Sequence, residues 1–187
     1  MTAPSRFLIE APAGFRSAAA GVFVAQLDDL SRRRGEAFHD VTAAELEWQL
    51  RPGMNTIGML LAHMAIVEVV WMDIGPLGLA EPRVEGVLGL GRDDDGMPLP
   101  EGATSPALLR GKDLAWYEGL FTRARAHTKE VAAGLTDADL DRQLTRTRPD
   151  GSQRTFNLRW VLHHLVEHDA GHYGQALLLR HLRRAPG

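Results

Sequence analysis

The chain of 187 residues contains no cysteine. That excludes disulfides, thiolate ligands and a sulfur nucleophile of the protein's own. A bound metal must then be held by imidazole and oxygen donors, and thiol chemistry must use an external thiol. A clustered basic excess is missing as well: 21 Lys and Arg stand against 24 Asp and Glu, for a net charge of −3 with His neutral. Nucleic-acid binding proteins carry a basic face that releases counterions from phosphates, so no nucleic-acid partner is expected. Nor is there a run of about 18 uncharged apolar residues. The nearest stretch, "GMLLAHMAIVEVVWM", is interrupted by His63 and Glu68. The N-terminal "MTAPSRFLIEAPAGF" has no apolar segment of signal-peptide length and no small-residue cleavage pattern. The expectation is a cytoplasmic protein with no membrane partner.

What is present is an ordinary globular composition, 44% hydrophobic and 24% charged, at a length that suits one domain over residues 1–187. Between Ser17 and Phe38, apolar Val22, Phe23, Leu27 and Leu30 predict a first helix with "SRRR" on its outer face. "NTIGMLLAHMAIVEVVWMDIG" predicts a buried second helix, with Asn55 as its cap and Gly75 as its stop. From Pro76 to Pro106 Gly, Pro and acidic residues break any long helix. This is a long connection, read as a solvated surface excursion or, alternatively, as a lid or oligomer contact. Its "DDDGMPLP" lacks the spacing of a calcium loop.

A third helix is predicted over Ala107 to Ala133, ended by Gly134, and Thr136 caps a short turn after it. Pro149-Asp150-Gly151 marks a hairpin or tight loop, whose Arg146, Arg148 and Arg154 read as a solvated turn. Asn157 caps a last helix running to about Arg183. Four long helices with no internal repeat imply an all-α, four-helix bundle carrying a long loop insertion between its second and third helices.

Four of the eight histidines, His163, His164, His168 and His172, fall within ten residues of one another in that last helix. Counted in seven-residue steps, Leu158, Val161, Leu165, His168, His172, Gln175, Leu179 and Leu182 share one seam, so His168 and His172 point inward. His164 lies at the flank of the stripe and His163 nearly opposite it. An unpartnered buried polar group costs on the order of 1–3 kcal/mol, so two imidazoles on the seam call for a compensating partner. Side chains at i and i+4 sit one above the other, and an H-x-x-x-H pair there can converge on one ion. A third ligand must come from another helix. His63 is the candidate, sharing a face of the second helix with Val67, Val70 and Ile74. The alternative at this point is that these are core histidines satisfied by hydrogen bonds.

At "MLLAHMAIVE" and "RWVLHHLVEHDAGHYGQ" the chain resembles the bacterial DinB/YfiT-like superfamily of four-helix metalloenzymes, over about residues 17–183. The resemblance implies that His63, His168 and His172 are metal ligands, with water completing the coordination. It implies a flanking, substrate-facing role for His164, which makes it the catalytic candidate, and none for His163. The divalent ion would be zinc or nickel, with iron possible. Superfamily members include S-transferases that use a low-molecular-weight bacterial thiol such as mycothiol or bacillithiol. The implied partners are therefore a thiol, a small-molecule electrophile and a second copy in a homodimer.

Trp71, Arg159 and Trp160 are the residues expected at the mouth of the site. Two other functions are compatible with the same residues: a metal-dependent hydrolase acting through activated water, and a non-catalytic metal-binding or dimerisation module. Glu68 or Asp169 as a fourth ligand would favour the module, because structural zinc sites are closed by four protein ligands.

Overall fold

Side-chain caps decide where the helices begin. In a computed structural model, described over residues 8–147 and 150–185, Ser17 caps α1 (Ala18–Phe38) and Thr42 caps the short α2 (Ala43–Glu47). Thr56 caps α3 (Ile57–Ile74) by accepting from Met59 N at 3.1 Å. The cap expected at Asn55 thus belongs to its neighbour, whose hydroxyl makes the same bond. Gly75 ends α3 as expected. The Gly-rich connection holds α4 (Val84–Leu88).

The third long helix is shorter than the sequence suggests. Ala107–Leu109 is a single 3₁₀ turn, Gly111 takes a left-handed φ of +70°, and α5 (Leu114–Ala133) starts only where Asp113 accepts from Trp116 N. Thr136 caps α6 (Asp137–Asp141), and Asn157 caps α7 (Leu158–Arg184). Between α6 and α7 lies an antiparallel hairpin of β1 (Gln143–Thr147) and β2 (Gln153–Asn157), in register from Gln143 opposite Asn157 to Thr147 opposite Gln153. The hairpin reading of the Pro-Asp-Gly segment is right, although Arg148 and Pro149 lie outside the described residues. Arg146 donates to the Leu79 carbonyl at 2.7 Å and Arg154 lies over the Trp160 ring, so both are engaged within the protein.

The fold is thus all-α apart from this hairpin. Helix α3 packs against α5 and α7, and α1 packs against the same two helices. By length and composition α3 is apolar enough to cross a membrane, but 72% of it is buried inside the protein, which makes it a core helix. Its first turn allows a close approach. A Cβ at Gly58 would collide with the Tyr117 hydroxyl, with Leu46 O 3.2 Å away, so α2 and α5 both lean on the missing side chain. Gly58→Ala is expected to cost about 1–3 kcal/mol as overpacking. Thermal unfolding should show a fall of roughly 2–12 °C at this chain length.

One expectation about polar residues is corrected, and the four-ligand alternative loses its two candidates. Arg34, placed on the outer face with "SRRR", is 5% exposed: its guanidinium donates to Asp169 Oδ1 at 2.9 Å and covers the Phe121 ring at 3.4 Å. Glu68 and Asp169 are not metal ligands either. Glu68 takes Arg125 in a two-pronged pair at 2.8 and 3.1 Å, and Asp169 lies 3.9 Å from the same guanidinium. Asp28 on α1 completes the set by accepting from Arg125 at 3.1 Å. Each of the four long helices therefore contributes a charge to one buried network.

The 76–106 connection is not a solvated excursion. Val84, Leu88 and Leu90 are buried, and Met97 and Leu99 pack on the core that contains Leu60 and Leu61. Its start is tied to α3 and α5, because Asp73 accepts from the Arg83 backbone and side chain and from His127 Nε2 at 2.7–3.3 Å. This anchoring brings "DDDGMPLP" onto α3.

Candidate metal centre

On α7 the residues at 160, 164, 168 and 172 follow at four-residue intervals, so their rings form a ladder along one flank of the helix. Ring centroids lie 4.9 Å apart for Trp160 and His164, 5.6 Å for His164 and His168, and 4.4 Å for His168 and His172. His63 on α3 meets the far end of the ladder, 4.9 Å from both His168 and His172. Its companions Val67, Val70 and Ile74 are half-buried, as the shared face requires. Each of the three histidines offers a ring nitrogen such that all three atoms lie within 4.8 Å of one another.

Two of these rings have their tautomer set by a partner. His63 donates from Nδ1 to Asp95 Oδ2 at 2.8 Å, and His172 donates from Nδ1 to Gln175 Oε1 at 2.9 Å. Both therefore turn a lone pair at Nε2 toward the centre, the arrangement in which a carboxylate or amide orients a metal-binding imidazole. His168 Nε2 lies 3.1 Å from His63 Nε2. Tetrahedral bonds of about 2.0–2.1 Å to zinc would set ligand nitrogens roughly 3.3 Å apart, close to this pair, and three imidazole nitrogens all within 4.8 Å of one another can close on a divalent ion.

Electrostatics point the same way. Burial first, then the neighbouring His172, His63 and His164, pushes His168 down to about 3. Burial also lowers His172 and His164. Near pH 7 all three of these rings are neutral and present lone pairs.

Asp95 was not legible as part of the site. It lies 32 residues from His63 in sequence and is 4% exposed. The three consecutive acids divide the work: the Asp93 carbonyl accepts from Gly96 N at 3.0 Å, Asp94 accepts from Gly91 N at 2.6 Å, and Asp95 accepts from both Met97 N and His63. Gly96 closes this turn with φ +70°. Gln175 was placed on the inward seam, but it is exposed and acts at the rim by holding His172. Leu182, from the same seam, is 41% exposed.

Beyond the three histidines the flank is aromatic. His164 stacks on Trp160 with an interplanar angle of 4°, and Trp71 meets Trp160, His164 and Phe156 edge-on at 5.2–5.5 Å. Trp71 and Trp160 are therefore where the sequence puts them, beside the cluster. Arg159 is held instead by Asp141 at 2.6 Å, and His163 is exposed.

A search of curated proteins found no match to the chain. A family model described as Mycothiol-S-transferase matches residues 22–185, a span that contains every residue of the histidine ladder, His63 and Asp95. The chain belongs to this family, and with it to the DinB/YfiT-like superfamily.

Proposed function

We propose that the protein is a metal-dependent S-transferase in which His63, His168 and His172 hold one divalent ion and a low-molecular-weight thiol is joined to a small electrophile. The observation that carries this reading is the convergence of three imidazole nitrogens within 4.8 Å in a chain of the mycothiol S-transferase family. Mycothiol is the thiol the family name supplies. The absence of cysteine agrees, since the reacting sulfur must come from outside. When bound, the ion supplies Lewis acidity that favours ionisation of a thiol near neutral pH. An ion with zinc's or nickel's affinity for imidazole fits best, and iron is a further candidate.

The chain's own residues then have separate tasks. Asp95 and Gln175 fix two of the ligand rings. His164, neutral near pH 7 and one turn from His168, accepts the thiol proton while the sulfur lone pair forms the new bond to the electrophilic carbon and that carbon's bond to its leaving group breaks, the bonding pair departing with the leaving group as an anion. Trp71 and Trp160 offer apolar surface on which the electrophile rests. The four long helices are read as the superfamily's four-helix bundle in one domain over residues 1–187, working in the cytoplasm as a homodimer.

The test is turnover of a chromogenic electrophile by metal-loaded protein, with and without thiol. Product formed only with thiol supports transfer, and equal turnover without it makes the protein a hydrolase. Loss of His164 alone should reduce the rate about 10²–10⁴-fold with metal content unchanged. The contribution of Asp95 is separable: Asp95→Ala should weaken metal binding by about 10–100-fold, as removal of an orienting carboxylate does elsewhere. Titration with zinc against a competing chelator reads this directly.

A further inference from the structure

A cavity lies away from the histidines. A cleft of about 500 Å³ opens between α1 and α5, with Leu61 of α3 at its floor, and none of His63, His164, His168 or His172 lines it. Leu61 and His63 are two residues apart, about 200° around α3, so the cleft and the histidine cluster lie on different sides of that helix. Its volume is in the range that takes a small organic molecule, about 300–1,000 Å³.

The walls state what kind of molecule. The apolar part is Leu61, Tyr117 and Phe121, all at most 6% exposed. The polar part is cationic: Arg34, Arg125 and Lys129 line the cleft against Asp28 and Glu118. Glu68 and Asp169, which pair with the two guanidiniums, are not among the lining residues, and Lys129 is paired with Asp28 at 2.8 Å, so three cations face the cleft against two acids.

Arg34 is the central feature. It is 5% exposed and its guanidinium carbon stacks over the Phe121 ring, 3.4 Å from the centroid. Among the described residues its hydrogen bonds go to Asp169 and Ser31, which leaves guanidinium N–H groups over from the five an arginine carries. Burial lowers the Arg34 pKa despite its pairing with Asp169, and the neighbouring Arg125 cation acts in the same direction. An anion in the cleft would satisfy the remaining Arg34 N–H groups.

We infer that the α1–α5 cleft is a second ligand site, taking one small organic anion with a flat apolar body, an aromatic carboxylate or sulfonate. The apolar body lies against Tyr117 and Phe121, and the acid group takes charge-assisted hydrogen bonds from Arg34, with Lys129 at the mouth. Such a ligand is distinct in place and chemistry from the thiol and electrophile at the histidines, and the site does not depend on a metal.

The test uses metal-free full-length protein and the fluorescent probe anilinonaphthalene sulfonate, followed by titration and by thermal unfolding. The expected result is saturable binding of about one equivalent, with a rise in Tm because the ligand binds only the folded state. Ala126→Trp, which fills the mouth from an exposed lining position, and Lys129→Gln should each weaken the probe by about tenfold or more. His172→Ala should leave its affinity unchanged. The neutral analogue N-phenylnaphthylamine should bind about tenfold more weakly than the sulfonate. Unsaturable binding, equal affinity for the neutral analogue, or binding indifferent to Ala126→Trp would each overturn the inference. Loss of the probe in His172→Ala would place it at the histidines instead.

Discussion

His63→Ala will lose metal and transferase activity together. With two imidazoles remaining on α7, the site falls below the three protein ligands of a catalytic zinc-type centre. Spreading the apparent 10–16 kcal/mol of a four-ligand zinc site over its ligands gives roughly 3–4 kcal/mol for each, or about 10²–10³-fold in affinity. The expected measurement is close to one equivalent of divalent metal in the parent protein after reconstitution, and close to none in His63→Ala and His172→Ala at the same free metal concentration. The fold should survive, because the His63 and His172 side chains are only half-buried at the surface of the α3–α7 contact. A His63→Ala protein that keeps its activity after the metal has gone would end the metal-dependent reading.

The acid limb of the metal-free protein follows from His168. Its folded pKa of about 3 lies below the ordinary value of 6.5, so the unfolded chain binds the proton first as pH falls. Stability is therefore intact above about pH 6.5 and declines toward pH 3, with the lowered His172 and His164 adding to the same slope. A bound ion would compete with those protons. Metal uptake should weaken with acid over the same interval.

The half of the site on regular helices was legible because periodicity is a local property. The four-residue intervals of α7 put His168 and His172 together wherever that helix packs, and a lone histidine in an apolar α3 had only one neighbourhood to serve. The seam went astray toward its end for a physical reason. A strict seven-residue repeat drifts about 20° per heptad from a straight helix of 3.6 residues per turn. Over the length of α7 that drift moves Gln175 and Leu182 outward, and Ala176, with Leu179, takes the buried positions.

Contacts that depend on tertiary pairing gave no such signal. Arg34 meets Asp169 across 135 residues and looks in sequence like any surface arginine of a basic run. Asp95 sits on a turn with no periodicity at all, and it reaches His63 only because Asp73 anchors the connection at Arg83 and its leucines bury themselves beside α3.

The second large effect belongs to the buried charge network. Arg125→Ala removes the cation that holds both oxygens of Glu68 and one of Asp28, leaving a 3% exposed carboxylate without its partner. Breaking a buried pair in this way costs about 3–5 kcal/mol, because the remaining charge keeps its desolvation penalty. For a chain of this length that is a Tm lower by roughly 6–20 °C. Arg125→Lys should recover only part of the loss, since a single ammonium cannot reproduce the two-pronged geometry at 2.8 and 3.1 Å. The double change Arg125→Met with Glu68→Met should be milder than Arg125→Ala alone, because it removes the orphaned charge as well. If the double variant is instead the worse of the two, the network stabilises the fold outright, and the four helices depend on it for strength as well as for their mutual alignment.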